Sequence, residues 1–115
     1  MDNTIQRILI ALPDSKLKLV LSLRDILLGH QLILKEKVKY GRITYQDIQQ
    51  RDIAFICINA KHSYIELGFF EGVYLDNSLG LLHGKNKLIR RVTIHEINNI
   101  LIAQINDWIL ALNKD

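Results

Sequence analysis

Residues 55–72 read FICINAKHSYIELGFFEG, and residues 80–94 read GLLHGKNKLIRRVTI. Within and just before the first run lie two β-patterned segments around a polar turn. Ile53 to Ile58 is apolar at successive positions, as in a central strand buried on both faces. Tyr64 to Leu67 alternates, placing Ile65, Leu67 and Phe69 on one side. The intervening Asn59-Ala60-Lys61-His62-Ser63 predicts an antiparallel hairpin. The second run predicts a glycine-punctuated basic loop feeding a last strand over about 87–94, with Leu88, Val92 and Ile94 on one side.

Helical signals flank this β region. Ile5, Ile8, Leu9 and Leu12 fall at i, i+3, i+4 and i+7, predicting a short amphipathic helix over 3–12 that Pro13 ends. Asp14 or Ser15 can cap a second helix running to about Gly29. Its Leu17, Leu19, Val20, Leu21, Leu23, Ile26, Leu27 and Leu28 spread wider than one apolar stripe. A neighbouring element or a second subunit is therefore expected on its other side, which makes a homodimer through this helix one expectation. Segment 37–45 reads as β, with Val38, Tyr40 and Tyr45 as its bulky members. Thr93-x-x-Glu96 matches a capping box, and Ile97, Ile100, Leu101, Gln104, Ile105, Trp108 and Leu112 follow at helical spacing. The expectation is one α+β domain over residues 1–115, an antiparallel sheet with the N- and C-terminal helices packed on one face.

Composition narrows the function classes. The 115 residues suffice for one core, and 49% apolar with 23% charged is ordinary for a globular chain. A single cysteine, Cys57, excludes an internal disulfide framework and is expected as a buried apolar residue in a reducing compartment. Charges at Lys18, Arg24, Asp25 and Asp107 interrupt every apolar stretch, so no membrane span is expected. Met1-Asp2-Asn3-Thr4 lacks a positive leader, and a cytoplasmic location is the expectation. The net charge is +3, unevenly spread: Lys35, Lys37, Lys39 and Arg42 oppose only Glu36, and Lys85, Lys87, Arg90 and Arg91 have no acid beside them. Brought together, the two segments would form one positive face on an otherwise acidic molecule.

No motif announces catalysis. His30, His62, His83 and His95 show neither an i, i+4 pair nor cysteine or carboxylate partners at ligand spacing, so no metal site is expected from spacing. Nucleophile-elbow and phosphate-loop patterns are missing from the sequence. Basic residues interleave with Tyr40 and Tyr45, yet the charge is low and no nucleic-acid motif is present, which argues against a nucleic-acid partner. Arg90 shares strand parity with Val92 and Ile94, so its charge must find a partner or reach the rim. The candidate ligand surface is Lys39, Tyr40, Tyr45, Phe69, Phe70, Gly72, Gly84, Lys87 and Arg90. Glycine N–H groups and cations there would hold a carboxylate or phosphate.

The runs Tyr64-Ile65-Glu66-Leu67-Gly68-Phe69-Phe70-Glu71-Gly72, Leu79-Gly80-Leu81-Leu82-His83-Gly84-Lys85-Asn86-Lys87 and Arg90-Arg91-Val92-Thr93-Ile94 resemble the YdhG-like family, domain-of-unknown-function family 1801. Lys39-Tyr40-Gly41 with Tyr45, Ala11-Leu12-Pro13 and Leu23-Arg24 fit the same family, so the resemblance covers nearly the whole chain. It implies a frataxin-like α+β fold with terminal helices on an antiparallel sheet. It also implies a link to iron chaperones serving iron-sulfur cluster and haem assembly. The chain departs from the family pattern at Ile43, Asn86 and Arg91. Lys16 and Lys18 sit beside Asp14 and Asp25 on the helix where a frataxin-type acidic ridge would lie. Two functions are thus expected: binding of a small anionic ligand or protein partner at a basic-aromatic surface, or iron delivery through Asp14, Asp25, Glu36 or the histidines.

Overall fold

A computed structural model describes residues 3–33 and 35–112. In chain order the elements are α1 (Asn3–Ile10), α2 (Asp14–Leu28), β1 (Lys35–Lys39), β2 (Arg42–Gln46), β3 (Asp52–Ile58), β4 (Ile65–Phe69), a 3-10 turn (Gly72–Tyr74), β5 (Leu82–His83), β6 (Arg90–Ile94) and α3 (Asn99–Ala111). The strands form one antiparallel sheet in the order β1-β2-β3-β4-β6-β5, giving the expected α+β class. Among the described residues, no helix is long and apolar enough to cross a membrane.

Strand alternation decides which face the helices cover. Ile43 and Tyr45 of β2, Ile56 of β3, Leu67 and Phe69 of β4, and Val92 of β6 are buried with α1, α2 and α3 residues in one cluster. Within it the Trp108 ring meets Phe69 edge-on at 5.5 Å, and its Nε1–H donates to the Asp76 carbonyl at 2.7 Å. The opposite face carries the other parity. There the register aligns Lys37, Thr44, Phe55, Gly68, Arg91 and His83 in one row across all six strands.

Four local expectations are corrected. Segment 37–45 is two strands, because Tyr40 and Gly41 both adopt positive φ, 53° and 73°, and form a two-residue turn between Lys39 and Arg42. That is the turn whose twist suits a tight hairpin. The last strand begins at Arg90, since Asn86 Oδ1 accepts from the Leu88 and Ile89 amides and holds 86–89 as a turn. Thr93 caps nothing: it pairs with Glu66 in the sheet, and α3 starts after Asn98, whose side chain accepts from the Leu101 amide at 2.9 Å. Cys57 is half-buried on the face away from the helices, in register with Glu66, not within the core.

The wide apolar spread of α2 is largely absorbed within the chain. Val20, Leu23 and Leu27 are buried, while Leu17, Leu19 and Ile26 pack partly against the core. Leu21 and Leu28, seven residues apart on one stripe, are the apolar α2 residues left exposed. A second full apolar face on which to build a dimer is not formed.

Phe55 is fully buried although no helix covers it. It lies across Gly68, its cross-strand neighbour, and a Cβ at that glycine would overlap the ring. Gly68→Ala should therefore destabilise the fold by about 3 kcal/mol, the upper end for overpacking, read from urea denaturation. Combining it with Phe55→Leu should recover part of that loss; strict additivity would show that the two do not touch. Tyr40 carries a bulky side chain in the left-handed region, so Tyr40→Asn should raise stability by about 1 kcal/mol in the same assay.

Candidate functional site

Seven of the nine candidate ligand residues fall into three groups. Tyr45 and Phe69 are fully buried on the helix side of the sheet and cannot meet a ligand on the surface. Gly72, Gly84 and Arg90 form one packing unit. A Cβ at Gly72 would lie 2.6 Å from Arg90 Cβ, and one at Gly84, at φ +150°, would lie 2.9 Å from the Ile89 carbonyl oxygen. The Arg90 guanidinium turns back to donate to the carbonyls of Asn86 and Ile89, the latter at 2.8 Å, so its charge closes its own loop. Lys39 and Tyr40 sit at the β1–β2 hairpin, with Lys39 paired to Asp52 at 2.6 Å and Tyr40 96% exposed.

These groups do not converge. Four strand spacings separate β1 from β6, roughly 19 Å at ~4.8 Å each. Lys87 is exposed in the loop before β6, and Lys39 lies on the opposite edge strand. One small ligand cannot span that distance, so the single pocket expected from sequence is not formed. Of the nine, Phe70 and Lys39 join the arrangement described next.

What the fold does assemble is a cationic plate centred on Phe55. The Arg42 guanidinium lies 4.6 Å from the Phe55 ring centroid and that of Arg91 lies 5.7 Å away. The Phe70 ring meets the Phe55 edge at 5.1 Å. The ring's negative face attracts both cations, and their stems complete its burial. Arg91 approaches Glu66 at 3.6 Å, whereas no carboxylate lies within ion-pair distance of Arg42 among the described residues. On this face Lys35, Lys37, Lys39, Arg42 and Arg91 oppose Asp52 and Glu66, an excess of three positive charges. Part of the expected positive face therefore forms. The 35–46 cations and Arg91 share a face, while Lys85, Lys87 and Arg90 belong to the edge loop.

The carboxylates considered for iron are not available together. Asp14 and Asp25 are eleven positions apart on α2, about 16 Å along the axis at 1.5 Å per residue. Glu36 is already committed. Arg24 grips it through Nε at 2.7 Å and Nη2 at 2.6 Å, and the Tyr45 hydroxyl donates to it at 2.6 Å. Among the described residues, no group of three or more His, Cys, Asp or Glu side chains is placed to hold a metal ion.

Burial alone would push the Glu36 carboxyl up, but hydrogen bonds from Arg24 and Tyr45, with the Arg24 charge, hold it below the ordinary value of 4.5. The same hydrogen bond raises Arg24 further. Burial first, and then the adjacent carboxylate, drive the Tyr45 hydroxyl well above the tyrosine range. The cluster therefore stays charged on Glu36 and protonated on Tyr45.

No protein-family model, curated protein or solved structure matches the chain.

Because the folded carboxyl binds its proton less readily than the unfolded one, the stabilisation from Glu36 is complete above the unfolded value near 4.5 and is lost as pH falls through the lower folded value. Glu36→Gln leaves Arg24 buried without a counter-charge. It should cost about 3 kcal/mol at pH 7, and the gap from wild type should narrow steadily below pH 4.5. Urea midpoints at pH 7 and pH 3 measure this; a constant gap would assign the loss to packing.

Proposed function

We propose that the chain is a YdhG-like domain that acts by binding, and that its partner is an acidic protein segment held on the uncovered sheet face. The observation that carries this is the pair of guanidiniums, Arg42 and Arg91, held against one buried aromatic ring on the face away from the helices. Their shape and charge suit carboxylates, to which a planar guanidinium donates two parallel hydrogen bonds. Phe55 orients both groups before any partner arrives, which reduces the ordering cost of binding.

The breadth of the plate favours an extended partner over a small ligand. Cations run from Lys37 on β1 to Arg91 on β6, a width of roughly 19 Å. Two features favour a protein over a nucleic acid. Phe55, the ring at the centre of the plate, is covered by its guanidiniums and by Phe70 and offers no open face on which a base can stack. Asp52 and Glu66 also interrupt the face, where a continuous phosphate backbone would meet repulsion. The YdhG-like assignment is supported by the sequence segments that span the sheet, including the Gly68-Phe69-Phe70 run.

A fluorescent peptide alternating Glu with small residues tests the proposal by anisotropy at low and high salt. Arg42→Gln with Arg91→Gln should weaken binding at least tenfold, about 1.4 kcal/mol, and flatten the salt dependence. Lys85→Gln with Lys87→Gln removes the same charge from the edge loop and should change affinity less than threefold. Equal losses in the two variants, or tighter binding of single-stranded RNA than of the peptide, would overturn the assignment.

A further inference from the structure

On the helix side of the sheet, at the end where the β1–β2 and β3–β4 turns lie, a cleft of about 510 Å³ opens beneath the α1–α2 corner. Its walls are apolar: Ile8, Leu12 and Pro13 from the corner, Ile43 from β2, and Ile56 and Ile58 from β3. The volume falls within the range of small-molecule sites, which pair apolar walls with a few placed polar groups. One charged side chain lines this cleft. Lys16, in the first turn of α2, is 5% exposed, and its Nζ donates to the Asn59 carbonyl at 2.7 Å.

Lys16 is the unusual member of this set. A buried ammonium has three N–H donors and normally stands beside a carboxylate. Among the described residues no carboxylate lies within ion-pair distance of it, and the acceptor it meets there is a neutral carbonyl. Arg24, two turns further along the same helix, shows the contrast, since Glu36 meets it with both oxygens. A cation held in an apolar cleft with donors to spare is half of an ion pair.

We propose that this cleft binds an aliphatic carboxylate, the alkyl chain lying against Ile43, Ile56 and Leu12 and the head group meeting the Lys16 ammonium. An alcohol of equal length would fill the walls without neutralising the cation. An amine of equal length would be repelled. The site is separate from the cationic plate, being on the other face of the same strands, and it does not depend on that reading.

Octanoate, 1-octanol and octylamine added to the full chain test this by calorimetry, with methyl chemical shifts locating the site. Octanoate should bind one per chain and move the methyl signals of Ile8, Ile43, Ile56 and Leu12. Octanol should bind at least tenfold more weakly and octylamine not at all. Lys16→Met keeps the apolar stem and removes the charge, so it should bring octanoate to within threefold of octanol. Leu12→Trp should block both ligands while leaving the circular dichroism unchanged. Equal affinity of octanoate and octanol for wild type, shifts confined to other methyls, or no binding of octanoate overturns the proposal. None of these three outcomes needs a variant, so they decide even if Lys16→Met fails to fold.

Discussion

The placement of α2 depends on one carboxylate. Glu36 lies on the helix-facing side of the edge strand β1 and meets Arg24 bidentately, each side chain 10% exposed. A charge pair at that depth contributes little to net stability over an apolar alternative, but its geometry is demanding. It fixes the rotation of α2 about its axis and its distance from β1. Tyr45, directly across from Glu36 in the β1–β2 register, adds a hydrogen bond that ties the second strand to the same point. Eight residues earlier, roughly 12 Å along the helix, Lys16 reaches the Asn59 carbonyl beyond β3. Two cations thus pin α2 at two points of the sheet, and Val20, Leu23 and Leu27 are buried along the same helix. The cleft beneath the α1–α2 corner lies at the Lys16 end of this helix.

The opposite face solves a different problem. An antiparallel sheet with helices on one side leaves the other to water, and polar residues normally fill it. Here Phe55 stands in the middle of that side and is nevertheless fully buried. Gly68 removes the side chain that would lift the ring, so the ring can lie on the neighbouring strand, the way an aromatic covers a bare glycine in a sheet. Arginine stems from β2 and β6 then close over it. Structure and function share these groups: the guanidiniums are oriented by the packing that shields the ring, and their charge still faces outward.

Much of the fold was legible from pattern alone. The β3–β4 hairpin, the two N-terminal helices and the apolar face of α3 follow from periodicity, because each carries a continuous run long enough for its period to show. The misses have physical causes. Tyr40-Gly41 is a weak turn signal with tyrosine in the left-handed position, so two five-residue strands read as one. Once that turn is missed, the parity of Lys37, Lys39 and Arg42 cannot be tied together, and the plate they form with Arg91 stays hidden. Tyr45 and Phe69 looked like ligand-facing aromatics because sequence gives alternation without saying which parity the helices cover. Arg90 had no partner in the sequence because its partners are carbonyls of its own loop. Nothing in the sequence marks Lys16 as buried: a lysine in the first turn of an amphipathic helix ordinarily faces solvent.

The two surfaces use adjacent residues on the same strands. Ile43 lines the cleft and Arg42 the plate; Ile56 lines the cleft and Phe55 seats the guanidiniums. Strand alternation sends each neighbour to the opposite side of a sheet whose two faces are packed by different groups. A substitution of equal volume on one face leaves the register, and so the other face, in place. Chemistry separates them too. The plate is broad, charged and open, so its affinity must fall with salt, whereas an ion pair inside an apolar cleft is screened much less. Ionic strength therefore distinguishes which surface a given anion has found, independently of any variant.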